Sequence, residues 1–412
     1  MDYYTKYLKY KKKYYNLYFQ TNKELLAGAH TEQISEAITN EDFKLDPKIS
    51  KTKKFVTYEW PEIKILSVEY PEQSGLTLIR HFNADSPGKR LSYYIDKRGK
   101  DIAGFNLDII NRTPNKKQNY DGAHSIVFVG GSSLGLEAVS GVSEIALKEN
   151  IMWYNKGITE GYPPYITSEE FKNNNKLLPL HERIYGVCCF TKNLAVDKHY
   201  IYPDMKLGKF AMENIFTSEQ KIYIKQSGVG LNSYVSKIDE PIEIENSWIT
   251  NTVPGGVGAK FYLNKNGLKI LFIINLNSIG IIHDNFKLLH DFPKGANNKG
   301  KVIDRNLRNR LNEYKNWAMG RQSNLKLQGS PRNTTLSILI TNLELPHDLK
   351  KSITKIFHDE IESMIFPYGT NGDGDTFFLT STYDIDNNIA DRRVLINEGK
   401  KLIRESIKSV FL

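Results

Sequence analysis

Three short segments carry residue types that could do chemistry. In the first, Asn333-Thr334-Thr335, a threonine follows an asparagine where a loop containing Gly, Ser and Pro (residues 325–333) runs into an alternating apolar stretch. A hydroxyl must be activated to act as a nucleophile, and one solution is a threonine whose own freed α-amine serves as the base. That amine titrates at about 7.7–8.0, so it can accept the hydroxyl proton without a histidine. Such a threonine must first be released by a break in the chain. The plainer reading is a loop entering a strand. The same residues also form a glycosylation acceptor pattern, without a secretion signal to make it relevant. The second segment, NGDGD (371–375), places Asp373 and Asp375 two residues apart among glycines. An EF-hand-like loop from Asn371 would need Gly and Glu where Thr376 and Thr382 stand, which disfavours calcium. A close carboxylate pair could instead retain a proton or orient an amine, and a solvated turn is the alternative. The third, GSSLG (131–135), follows a strand-like run and precedes a helix-like one, the setting of a nucleophile elbow around Ser133. Its glycines equally suit a tight turn from strand to helix.

The chain that must position these residues has 412 of them, 40% hydrophobic and 25% charged, which suits one large domain or two ordinary ones with a sizeable core. The formal net charge is +9, and the first twenty residues hold five Lys and one Asp, so the remainder is only mildly basic. Charge therefore does not demand nucleic acid. No apolar run reaches the length of a membrane span, and the basic, Tyr-rich opening has no apolar core of a signal peptide. The two cysteines, Cys188 and Cys189, are adjacent and fit neither a disulfide framework nor a zinc spacing, which points to a reducing, cytoplasmic setting.

Residues 1–50 read as an extension and linker. Tyr and Leu at 4, 7, 8, 14, 15 and 18 share one face of a helix with lysines between them, a docking or address segment or else a solvated tail. This opening also resembles the starts of many giant-DNA-virus proteins, which would place the chain in a virus factory or virion. From about 53 the chain is strand-rich: KFVTYEW, IKILSVEY, LTLIRHF, RLSYYID and SIVFVGG are short β-like runs. Helices are expected over Leu136–Glu149, over 205–216, over Asp304–Met319, after Pro346 as first helical residue, and over Val394–Val410. Asn266-Gly267 between two apolar runs signals a hairpin. In residues 334–342, Thr334, Leu336, Ile338 and Ile340 fall on one face of a strand, and DTFFLTSTY is another strand. The mixture argues for layered α/β with a mixed or largely antiparallel sheet.

Read together, NTTLSILITNLELPHDL and FPYGTNGDGDTFFLTSTYDID resemble the small subunit of the DmpA-type N-terminal-nucleophile hydrolases, in particular their nylon-oligomer (6-aminohexanoate oligomer) endohydrolase branch. The resemblance continues upstream through VGGSSLGLEAVSGVSE, RIYG, YIYPDMKLGKFAMEN, SGVGLNSYVSK and LNSIGIIHD, and covers roughly residues 53–412. It implies a four-layer α-β-β-α sandwich over 51–412, self-cleaved between Asn333 and Thr334 into a large part (51–333) and a small subunit (334–412). Thr334 takes the place of the nucleophile. Asn277 in LNSIG matches the oxyanion asparagine, and Lys237 in SGVGLNSYVSK the supporting lysine. Asp373 and Asp375 match the carboxylate pair that holds the amine, and Tyr185 in RIYG matches a tyrosine near the site. The resemblance further implies a peptide or amide-oligomer substrate, no metal or organic cofactor, and a homo-oligomer, often a tetramer, of cleaved heterodimers.

Insertions around 155–175, 190–199 and 240–250 depart from the family pattern and bear on substrate identity, because loops shape pockets. Two other readings stay open. One is a serine hydrolase using Ser133. The other is an uncleaved, inactive descendant that serves as a binding or virion-associated protein.

Overall fold

The computed structural model describes residues 45–82, 91–100, 104–105, 107, 122–123, 125–149, 187–190, 201–237, 242–244, 247–249, 253–290, scattered positions between 305 and 319, and 333–412. The basic opening segment, Tyr185 and much of the helix expected over 304–319 lie outside the described residues. The main strands in chain order are β1 (Ile63–Tyr70), β2 (Ser74–His81), β3 (Leu91–Arg98), β4 (Ser125–Val129), β5 (Val187–Phe190), β6 (Gly256–Leu263), β7 (Lys269–Leu276), β8 (Leu336–Leu343) and β9 (Asp375–Ile385). The helices are α1 (Glu137–Lys148), α2 (Met205–Asn214), α3 (His347–Glu362) and α4 (Ile389–Phe411).

Two six-stranded mixed sheets result. Sheet one runs Lys48–Ile49, β1, β2, β4, β5, Gly104–Phe105, and sheet two runs β6, β7, β8, β9, β3, Gly122–Ala123. The β4/β5 and β8/β9 pairs are parallel, and every other neighbouring pair in the two sheets is antiparallel. Period-two alternation sends successive side chains to opposite faces, so β1, β2, β4, β7, β8 and β9 each feed two cores. Ile63, Ile79, Ile126, Phe128, Ile338 and Phe378 fill the space between the sheets. Leu76, Leu78, Val127 and Val129 face α1 and α2 through Ala138, Val142, Leu207 and Met212. Phe272, Leu339, Phe377 and Leu379 face α3 and α4 through Phe357, Leu402 and Ile403. The arrangement is the expected four-layer α-β-β-α sandwich. Each fully buried aliphatic or aromatic side chain contributes about 1.5–3 kcal/mol, and β8 is buried on both faces along its whole length.

Local signals account for the element ends. At the β6–β7 turn Gly267 sits at φ 84°, and the Asn264 side chain accepts the Asn266 and Leu268 N–H groups at 2.9 and 2.8 Å. Two helix starts differ from expectation. Pro346 stands just ahead of α3 as its cap rather than as its first residue. The last helix begins at Ile389 rather than Val394, because Asn388 accepts the Asp391 N–H at 2.8 Å. The first turn that follows is exposed or half-buried and contributes nothing to the apolar face of the helix, so periodicity alone could not reveal it. No helix among the described residues is long and apolar enough to cross a membrane.

Candidate active site

Register in sheet two gathers the site. β7 runs antiparallel to β8 with Asn275 opposite Leu336, and β9 runs parallel to β8 with Thr376 opposite Leu336. The residue just after β7, the pair just before β8 and the turn just before β9 must therefore meet at one edge. These are Asn277, Asn333-Thr334 and Asp373-Gly374. The Asn333 N–H donates to the Gly372 carbonyl at 3.0 Å, and the Gly374 N–H donates to the Asn333 carbonyl at 2.9 Å. The Thr334 N–H donates to the Asn277 carbonyl at 3.3 Å. The Thr334 hydroxyl donates to the Asn333 carbonyl oxygen at 2.6 Å. The Asn333 carbonyl oxygen thus accepts two donors, the Gly374 N–H and the hydroxyl of the residue that follows it. Asn333 and Thr334 are both buried.

Lys237 reaches the same point from the large part. Its backbone N–H and that of Ser236 donate to the carbonyls of Ile279 and Gly280 at 3.0 and 3.1 Å. The Lys237 Nζ then donates to Asn277 Oδ1 at 2.8 Å and to the Asn277 carbonyl at 3.1 Å. The Tyr234 N–H donates to the same Oδ1 at 3.1 Å. Two donors on one end of the Asn277 amide fix the other end as its NH2, a side-chain donor.

The carboxylates are held by backbone. Asp375 Oδ1 accepts the Thr335 N–H at 2.7 Å and its Oδ2 accepts the Gly369 N–H at 3.1 Å. Asp373 Oδ2 accepts the Thr370 N–H at 2.7 Å. Both are buried. Asp375 is therefore tied to the residue that follows Thr334, and Asp373 pairs across the bridge with Asn333, the residue that precedes it. Burial and the neighbouring Asp373 push the Asp375 carboxyl well above its ordinary range, against the pull of its N–H donors. Burial pushes the Lys237 ammonium down to about 7, opposed by the attraction of Asp373 and Asp375. Lys237 and the two carboxylates thus influence one another's charge in a buried setting.

Five of the six residues expected at the site, namely Thr334, Asn277, Lys237, Asp373 and Asp375, lie in this one network, together with Asn333. Tyr185 is outside the described residues. The GSSLG segment forms a short 3-10 turn leading into α1. Gly131 has φ 73°, and a Cβ on Gly135 would stand 1.9 Å from the Gly130 carbonyl oxygen, so these glycines meet the needs of the turn itself. A cleft lined by Ile49, Lys51, Ser67, Thr217 and Glu219 contains none of the site residues. Sequence reasoning missed the N–H donors of Gly374, Thr335, Gly369 and Thr370, because a backbone amide leaves no mark in residue type. It also missed Tyr368, within the quoted FPYG, and His358 behind it.

No protein-family model matches the chain. Over 352 residues it is 25% identical to the 6-aminohexanoate-oligomer endohydrolase of Agromyces sp. (strain KY5R), covering 84% of this chain and 80% of that protein. The protein of the same description from Kocuria sp. (strain KY2) is also 25% identical over the same shares of each chain. Among solved structures, the Burkholderia sp. β-aminopeptidase is similar with a TM-score of 0.49 and 11% identity, over 90% of this chain and 91% of that one. The similarity to the oligomer endohydrolases spans most of both proteins.

Proposed function

We propose that this chain, like the oligomer endohydrolases it resembles, is an amide hydrolase, and that it activates itself by cutting before Thr334. The observation that carries the reading is the scissile geometry: the Thr334 hydroxyl against the Asn333 carbonyl, with the Gly374 N–H on that carbonyl's oxygen.

Before the cut Thr334 has no free α-amine, so another base must serve the first reaction. Lys237, whose Nζ shares the Asn277 carbonyl with the Thr334 N–H and whose ammonium burial pushes down to about 7, is assigned that role. It takes the hydroxyl proton as Thr334 Oγ1 bonds to the Asn333 carbonyl carbon, and the Gly374 N–H steadies the oxyanion. The proton passes to the Thr334 nitrogen as the C–N bond breaks, which leaves Asn333 esterified to Oγ1. Water then attacks the ester carbonyl. Asn333 departs as a carboxylic acid, and Thr334 holds a free hydroxyl and a free α-amine. The products are chains of 333 and 79 residues (412 minus 333).

In turnover the Thr334 hydroxyl attacks a substrate amide carbonyl, and its α-amine carries the proton to the leaving amine. Asn277 donates its side-chain N–H to the oxyanion, Asp373 and Asp375 hold the new ammonium, and water releases the acyl group. The substrate class is a peptide or an amide oligomer. The assembly is a homo-oligomer of cut chains, tetrameric as in the family the sequence resembles, which sedimentation checks.

The test is to mix cut protein with peptide amides and 6-aminohexanoate oligomers, quench in acid, and weigh the small fragment. An acyl adduct on the Thr334 α-amino terminal peptide is expected. Turnover with the adduct on Ser133 would transfer the role to the GSSLG turn, and Ser133→Ala, expected here to be silent, would abolish it. Asn277→Ala is expected to lower kcat by about 10²–10³ with KM little changed, the size of one lost oxyanion donor. Steady-state kinetics on the cut protein checks it.

A further inference from the structure

Behind the carboxylate pair lies a buried polar chain that the mechanism above does not use. His358, on α3, has no solvent exposure. Its Nδ1 is 2.7 Å from Asp96 Oδ2 on β3, and its Nε2 is 2.7 Å from the Tyr368 hydroxyl. The ring also lies against Phe377 at 5.8 Å between centroids and meets Tyr368 edge-on at 5.6 Å. Asp96 is itself fixed by Arg98, 3.4 Å away, which also binds Asp359 and Glu362 on α3. Burial pushes the His358 pKa down, against the pull of Asp96, which favours the neutral ring. A neutral ring with Nδ1–H on the carboxylate leaves Nε2 as an acceptor, so the Tyr368 hydroxyl donates to it.

A buried tyrosine and histidine with every polar atom satisfied could serve stability alone. The next two residues point elsewhere. The Gly369 N–H donates to Asp375 and the Thr370 N–H donates to Asp373. The segment that Tyr368 anchors therefore delivers one donor to each member of the carboxylate pair. Gly369 sits at φ 64°, so the chain bends sharply between the two donors and turns each toward its own carboxylate. We infer that Asp96, His358 and Tyr368 are positioning residues that hold the Gly369 and Thr370 amides on Asp375 and Asp373, and through them align Thr334 for attack. The inference rests on the self-cleavage proposed above.

The experiment is a time course of self-cleavage, by intact mass, in the full chain and in Tyr368→Phe, His358→Asn, His358→Gln and the Tyr368→Phe/His358→Asn pair. Asparagine retains a polar group near Nδ1 and loses the Nε2 acceptor, whereas glutamine retains an oxygen near Nε2. Tyr368→Phe and His358→Asn are expected to slow cleavage each by roughly tenfold, the size of one lost hydrogen bond. The pair should be no slower than either single variant, because both break the same contact. His358→Gln should recover part of the rate. Thermal unfolding of the same variants in a Thr334→Ala background, where no cut intervenes, reads the structural cost separately. Cleavage at the parent rate in Tyr368→Phe and His358→Asn would overturn the inference. So would slowing that tracks lost stability in all three single variants, without recovery in His358→Gln. A parent chain that never cuts would sink the self-cleavage reading and this inference with it, and is distinguished by failing before any variant is compared.

Discussion

Thr334→Ala is expected to leave one intact chain of 412 residues with no amide hydrolase activity. The substitution removes Oγ1, the atom 2.6 Å from the Asn333 carbonyl oxygen, and no other side-chain hydroxyl is placed in that position by the network described. Loss of a sole nucleophile costs on the order of 10⁶ in rate, so cleavage over days should be undetectable. The fold should survive, because a small buried side chain is traded for a smaller one at the edge of a strand whose partners are backbone. Thr334→Ser retains the oxygen and should still cut, more slowly, since loss of the methyl frees the hydroxyl to turn away. Intact mass and a thermal melt of the three chains side by side check these expectations.

Lys237→Met should slow self-cleavage by about 10²–10⁴, the usual contribution of a positioned base. Its pH dependence is more diagnostic than its size. The parent rate should climb as pH rises through about 7, where Lys237 loses its proton, and the climb should vanish in Lys237→Met. Stability gives a second signature with a definite sign. The folded pKa of about 7 lies below the ordinary lysine value of 10.5, so between those limits the unfolded chain binds the extra proton. Stability rises with pH wherever the unfolded state binds more protons. The lysine's contribution is therefore flat below about pH 7 and then grows more favourable toward pH 10. Denaturant melts of Thr334→Ala with and without Lys237→Met should diverge over that window, with the lysine-containing chain gaining. Parallel curves would mean that Lys237 titrates normally and does not act as the base.

Much of this was legible in residue order. The alternation Leu336, Ile338, Ile340 against Leu339 and Leu343 does divide between the two cores on either side of sheet two. The Asn266-Gly267 signal does mark the β6–β7 turn. What no local pattern contains is the register that brings Asn277, Thr334 and Asp373 to one edge, since pairing across 40 or more residues depends on how three strands align. The resemblance supplied that juxtaposition as an expectation, and the strand register gives its physical cause. The backbone donors on Asn333, Asp373 and Asp375 were hidden for a simpler reason: every residue but proline has the same N–H. His358 reads in sequence as one more residue on an amphipathic helix, and only its place between Asp96 and Tyr368 distinguishes it.

The central claim is most directly tested by the intact mass of the freshly purified full chain, followed over time, with N-terminal sequencing of any small fragment. The account predicts two associated pieces of 333 and 79 residues, the smaller beginning Thr334-Thr335-Leu336. A single stable chain after long incubation at pH 8, with Thr334 still joined to Asn333, would contradict it and favour an uncleaved binding protein.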